Sequence, residues 1–350
     1  GRVVTNVAHR DNGAILRDNP AGAVNIESQV LLEVGVDVLI ADFEYSDPQN
    51  SRTSITEATP LPQIALIRRT PDDLFAFGLG VFTPAGFSAR HTMTGPYPGY
   101  GPQLYKSFGM LTKVLPSAAC RLTENLSVGG TLGVGVSHAE LEAPYILQGP
   151  GAPCVPTFLD LQATGAALVW SVGLQYELTE CTTLGVTYQS DSRFHLAGHT
   201  RIGLPGPLPL STVYDTRVDI TFPQSVAFGI RQQLCPHHVL SCDLIWYDWS
   251  GAFDNFGIQL SNPDSPFFPP QIVERFPLRW RDTLSVRTGY EHKFGDGQAL
   301  RFGYVYHRNP IPDGTLTPFI QATLEHGFSV GYGRSVLGWD VDVSYMYMFG

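Results

Sequence analysis

The sequence predicts an all-β protein, a transmembrane antiparallel β-barrel with a small plug at its N-terminus. Three observations carry this. First, the stretch 338–349 alternates without a fault. Trp339, Val341, Val343, Tyr345, Tyr347 and Phe349 fall on one side of an extended chain, and Asp340, Asp342, Ser344, Met346 and Met348 on the other. Aromatic-tipped alternation over roughly 10 residues is the repeat of a membrane-spanning barrel strand. Second, charged residues make up only 15% of the 350-residue chain, against about 25% in soluble domains, yet the mean hydropathy is −0.01. Low charge without apolar blocks fits strands that alternate between lipid and a wet lumen. Third, strand-like stretches are joined by short and long connections in turn.

Residues 1–27 do not alternate. They carry Asn, Asp and Gly and end in Asp18-Asn19-Pro20-Ala21-Gly22, which reads as an irregular hatch, with the barrel occupying 28–350. Alternation then begins, with Val30, Leu32, Val34, Val36, Val38 and Ile40 in one phase, giving a first strand at about 28–44. The stretch is too interrupted by Glu33, Asp37 and Asp42 to be the ~18-residue apolar run of a spanning helix. A second strand at 61–69 turns at Thr70-Pro71-Asp72-Asp73 into a third at 74–83, which ends in Thr83-Pro84-Ala85-Gly86. Pro and Gly there predict a kink in the wall.

Ten further strands follow, at 108–122, 126–142, 163–178, 182–197, 214–234, 239–250, 280–294, 299–308, 322–333 and 338–349. Tight turns join them in pairs. The intervening connections 84–107, 143–162, 198–213, 251–279 and 309–321 are long and rich in Pro, Gly and aromatics. Short turns on one rim and long loops on the other are the pattern of a bacterial outer-membrane barrel, which sets the expected location. By phase, Trp170, Val172, Leu174 and Tyr176 face lipid, as do Val218, Ile220, Phe222, Val226, Phe228 and Ile230, with Arg217, Asp219 and Arg231 turned to the lumen.

The net charge of −10 argues against nucleic acid, which needs a basic face. Cys120, Cys154, Cys181, Cys235 and Cys242 have no metal-like CxxC spacing, and no GxSxG elbow accompanies the Ser, His and Asp residues. The expectation is a protein with no enzyme activity, metal or cofactor.

Several stretches resemble the outer-membrane long-chain fatty acid transporter (FadL) family and its relatives for aromatic hydrocarbons. Asn19-Pro20-Ala21 is similar to the motif that ends that family's hatch. Phe222-Pro223-Gln224-Ser225, the run Asp243-Leu244-Ile245-Trp246-Tyr247-Asp248-Trp249-Ser250, Trp280-Arg281-Asp282 and Asn309-Pro310-Ile311-Pro312-Asp313 resemble later strands and a Pro-rich loop in the family's order. The resemblance covers nearly the whole chain.

It implies a 14-stranded barrel closed by its hatch, which passively transports hydrophobic molecules, fatty acids or similar lipids and hydrocarbons. Capture is in an external groove, transfer is to a lumen pocket, and exit is sideways into the outer-membrane lipids. On this reading Arg281 and His138 occupy the family's basic pocket positions, with Arg287 in the same lumen phase. Strict alternation by itself puts His138 with Val134 and Val136, facing lipid. Phe87, Tyr97, Tyr100, Leu104 and Tyr105 are the capture loop, and Thr83, Pro84, Ala85 and Gly86 the exit kink. Asn19, Pro20 and Ala21 anchor the hatch. The alternative from another class is a barrel of this family serving as a structural or secretion platform.

Counting from a hatch on the inner side, 338–349 is the thirteenth strand and ends at the outer surface. Barrels of this kind close with an even number, so a final strand, and the start of the hatch, are expected outside these 350 residues.

Overall fold

The computed structural model describes residues 1–55, 57–147, 155–204, 210–320 and 324–350. The hatch opens the chain. It contains the single-turn helix α1 (Ile15–Asp18) and a 3-10 turn, Pro20–Asn25. Seventeen strand segments then form one antiparallel sheet. They lie along thirteen wall positions, because four strands are broken in two. These are β1 (Val30–Ala41), β2 (Glu57–Arg69), β3 (Phe75–Thr94), β4 (Pro102–Arg121), β5 (Leu126–Leu147) and β6 (Val155–Thr179). Next come β7 (Thr182–Gln189 and Ser192–Gly203), β8 (Ser211–Phe222 and Ser225–Cys235), β9 (His238–Tyr247 and Asn255–Ser261, with helix α2, Trp249–Ala252, between) and β10 (Gln271–Pro277 and Thr283–Lys293). β11 (Gln298–His307), β12 (His326–Val336) and β13 (Trp339–Phe349) complete the wall.

Each strand pairs with the next, an up-and-down meander. Among the described residues β1 pairs only with β2 and β13 only with β12. All thirteen expected strands are present. No described helix is long and apolar enough to cross a membrane, which leaves crossing by strands untouched.

Strand β6 serves as a ruler for the wall. Its outward row is apolar from Leu168 through Trp170, Val172, Leu174 and Tyr176 to Leu178, all exposed. Ten residue steps at about 3.3 Å, tilted near 45°, span roughly 25 Å, the height of a barrel's lipid-facing band. Above it the same row turns polar at Thr164, Gln162 and Asp160. The inward row inverts at the same level. Below, Ser171 is buried and bonded to Thr131 and Gln175 is buried against the hatch, whereas Val169, Ala163, Leu161 and Leu159 are buried above. The wall is thus apolar outside where lipid meets it, and apolar inside where water surrounds it.

This inversion corrects two expectations. Val218 does not face lipid: it is buried inside, while Arg217 and Asp219 point outward, Asp219 bonding His195 at 2.6 Å. β8 breaks at Pro223-Gln224 and the inward phase switches there; of the six residues expected to face lipid, Val226 and Phe228 below the break are exposed, while Ile220, Phe222 and Ile230 are half-buried. Likewise, 87–108 is not a free loop. β3 and β4 continue as a ladder from Phe87↔Gly109 to Thr94↔Pro102, leaving only a tip at 95–101.

Candidate functional site

The hatch fills the lower lumen and is bonded around its circumference. Asn19, fully buried, donates from Nδ2 to the carbonyls of Val7 and Leu174, at 2.6 and 3.0 Å, while its Oδ1 accepts from Ala21 N. Gln175 donates to His9 O, Ser127 to Ala21 O, and the Glu33 carboxylate accepts from Gly13 N. Pro20 and Asn19 seat on inward glycines. A Cβ at Gly129 would lie 2.5 Å from the Pro20 carbonyl carbon, and one at Gly173 2.0 Å from Asn19 Oδ1. The wall therefore needs glycine where the hatch backbone touches it.

His9 sits in this seat, 1% exposed, facing Arg2, Asp11 and Arg231, with Nδ1 3.6 Å from Asp11. Burial, then the Arg2 charge, lowers its pKa to about 4. Between pH 6.5 and 4 a released hatch binds a proton that the seated one refuses, so seating weakens as pH falls through that window. The full penalty is roughly 3 kcal/mol. Protection factors across residues 1–27, that is the intrinsic amide rate at each pH divided by the observed exchange rate, are expected to fall as pH drops from 6.5 to 4, and His9→Gln to flatten the profile. A flat profile in the unaltered protein contradicts this assignment.

Above the hatch lies an apolar column. Leu111, Leu159, Leu161, Ala163, Phe194, Leu196, Ile202, Tyr214 and Val218 are buried in one cluster. Aromatic rings extend it: Phe194 to Phe222 at 5.7 Å, Phe222 to Phe253 at 6.4 Å, Phe253 to Trp280 at 4.7 Å, and Trp280 to Trp249 at 5.0 Å. These rings gather where β7 to β10 break. Asp248 organises the break, accepting from Gly251 N at the start of α2 and from Gln224 Nε2.

The wall opens beside this column. β2 and β3 pair from Arg69↔Ala76 up to Ile64↔Val81, and no ladder joins them above that point among the described residues. The β3–β4 register slips by one residue between Phe82 and Ala85, so Thr83-Pro84 forms a bulge. A cavity of ≈ 750 Å³ sits there, lined by Pro60, Pro62, Val81, Thr83, Ser88 and Met110 among others. At the upper end Glu57 bridges to Arg90 and Ser88, both at 3.3 Å, and Ile55 N donates to Arg90 O. The slot spans residues 57–63, roughly 20 Å along the strand.

Lys113 lies at the level where slot, column and hatch meet. Its neighbours in the inward row are Leu111 and Leu115, each nearly fully buried, and its cross-strand partners are Phe82 and Gly135. Arg17 of the hatch rides over the Phe82 ring at 5.7 Å but is bonded to Asp18 at 2.8 Å. Among the described residues no carboxylate comes within ion-pair distance of Lys113, whose charged neighbour is Arg17. A cation in an apolar row is costly unless an anion joins it.

The expected site residues are distributed differently. Arg281 is exposed in the break between the two segments of β10, its main-chain N–H donating to Pro310 O. Arg287 braces the hatch, donating to Val4 O and to Tyr247 Oη. His138 is not in the lumen. The β5–β6 register runs without a bulge, so His138 keeps its outward phase and bonds Thr164 at 2.7 Å and Glu140 at 3.3 Å. Tyr97 is buried and donates to Tyr145 O, Tyr105 packs on Phe319, Leu104 is half-buried, and Phe87 and Tyr100 are exposed. Cys120, Cys181, Cys235 and Cys242 are unpaired, and Cys154 lies outside the described residues. Among the described residues no group of His, Cys, Asp or Glu forms a metal cluster.

A lipid-banded antiparallel wall, occluded by its own N-terminus and lined by buried apolar side chains above it, defines the class of plugged β-barrels of the bacterial outer membrane. The whole chain, residues 1–350, matches the family model described as outer membrane protein transport protein (OMPP1/FadL/TodX), and the protein belongs to that family. Among solved structures it is similar to the Pseudomonas putida toluene transporter TodX, at 18% identity and TM-score 0.79, covering 97% of this chain and 89% of that one. It is also similar to the Ralstonia pickettii toluene transporter TbuX, at 18% identity and TM-score 0.78, covering 98% of this chain and 95% of that one. A Pseudomonas aeruginosa FadL homologue aligns at 17% identity and TM-score 0.76, covering 99% and 87%. Comparison with curated protein sequences gives no match.

Sequence reasoning missed Lys113, the Phe222–Phe253–Trp280 relay and the slot face of Pro60 and Pro62. Phase would have flagged Lys113 only after its strand's faces were fixed.

Proposed function

We propose that the barrel passively carries hydrophobic molecules with a carboxylate head from the outer surface, through the apolar column, and sideways through the slot into the membrane. The single observation behind this reading is the meeting of the column, the slot and the unpaired Lys113 directly above a bonded hatch. An apolar chain gains about 0.8 kcal/mol per buried CH₂, so a dry column extracts cargo from water. Lateral exit then removes the need to return it to water. The toluene transporters TodX and TbuX support an aromatic-tolerant path, in keeping with the relay of rings from Phe194 to Trp249.

A platform without transport has no use for a hollow opening at Pro84, and the cavity there favours transport. The test is uptake of labelled long-chain and aromatic carboxylates by a bacterial host lacking its own transporter of this family. Expression of the barrel is expected to raise uptake of carboxylates above that of matched neutral hydrocarbons. No increase for any hydrophobic compound sinks the reading.

A further inference from the structure

We propose that Pro60 and Pro62 hold the lateral slot open, by withholding the two N–H groups that would otherwise zip β2 onto β3. The proposal rests on the lateral-exit reading and names the residues that create the exit.

The direction of each peptide group follows from one bond. Thr83 Oγ1 donates to Pro62 O at 3.5 Å, so the Pro62 carbonyl points across the slot toward β3. In an antiparallel strand a residue's N and C=O point to the same side, since a hydrogen-bonded pair exchanges both. The ring nitrogen of Pro62 therefore faces β3, and so does that of Pro60, two residues away on the same phase. On its other side β2 keeps an unbroken ladder with β1, including Val36↔Pro62 and Val38↔Pro60. That ladder loses nothing to the prolines, which supports the same assignment.

An unpaired N–H in hydrocarbon costs several kcal/mol, and an open edge therefore tends to capture its neighbour. Of the three positions between Glu57 and Ile64 that face β3, namely 58, 60 and 62, two are proline. The third, Ala58, lies next to the Glu57–Arg90 bridge that closes the slot's upper end. Opposite, Pro84 sits in the bulge that sets β3 back. The bulge displaces one edge, and the prolines keep the other from recapturing it.

The test is the double variant Pro60→Ala/Pro62→Ala, with Pro62→Ala alone as the milder form, checked for folding by heat-modifiable gel migration. Each substitution introduces an amide that reports on itself. With alanine-selective ¹⁵N labelling, the new amides at positions 60 and 62 are expected to exchange slowly and to show a proton contact with Thr83, and uptake is expected to fall. Slow exchange with uptake unchanged leaves the prolines as the determinants of the slot but refutes lateral exit as the route. New amides that exchange as fast as those of the 95–101 tip, with uptake unchanged, overturn the proposal.

Discussion

Deleting Pro84 straightens β3 and reduces uptake to that of cells without the barrel. Below the bulge the ladder reads Phe82↔Lys113, and above it Ala85↔Leu111, so two β3 residues, Thr83 and Pro84, face the single β4 residue Thr112. Removing one restores a continuous register without turning any side chain over. Thr83 then pairs with Thr112, whose hydroxyl it already approaches at 3.4 Å, and every contact above and below is kept. β3 returns to about 4.8 Å from β2, the ordinary spacing of a ladder. What remains at Pro60 and Pro62 is a seam without hydrogen bonds, too narrow for a ring or an acyl chain. Stability is expected to hold or rise, by about 1 kcal/mol for each ladder bond regained. Loss of uptake in a well-folded, heat-modifiable barrel is thus the expected result. Unchanged uptake would show that cargo leaves by another way.

Much of this architecture was legible because lipid imposes a strict rule. Where both faces differ, as in Leu168 to Leu178 of β6, alternation marks the strand and its outer side. The rule weakens above the membrane. In the upper half of β3, buried Ala89, His91 and Met93 alternate with Ser88, Arg90 and Thr92, and neither row looks like a lipid face. That stretch reads as a loop until cross-strand pairing is known. The same inversion turned Val218 inward, because a phase carried across the break at Pro223-Gln224 reverses there.

The site was less legible for a related reason: it depends on which edges stay unpaired. Proline in a strand usually signals an edge or an end. Pro60-Leu61-Pro62 accordingly reads as a strand start, when it lies inside β2 with its nitrogens toward the slot. His138 shows the reverse lesson. Alternation placed it outward and family resemblance placed it in the pocket, and the unbroken β5–β6 register keeps it outside. The inward cation is instead Lys113, hidden in Leu111-Thr112-Lys113-Val114-Leu115, where apolar residues occupy both phases.

Replacing Lys113 with methionine should convert the carrier from one that favours carboxylates to one that favours neutral hydrophobes. Methionine matches the apolar stem and fits the row between Leu111 and Leu115, so the fold is expected to tolerate it. What disappears is the charge. A hydrogen bond to a charged group contributes roughly 1.5–3 kcal/mol, which at 1.4 kcal/mol per decade is about a 10- to 150-fold loss of affinity for a carboxylate cargo. A neutral analogue of the same shape, such as the matching alcohol or methyl ester, meets a fully apolar wall and should bind equally well or better. Lys113→Arg retains a cation and should recover much of the preference. Arg281 provides the internal control: it is exposed in the break within β10, and Arg281→Met should leave the carboxylate preference near its original value. Equal losses for acid and neutral cargo in Lys113→Met would mean that Lys113 shapes the column without holding a head group. A selective loss in Arg281→Met would move the anion site to the break in β10.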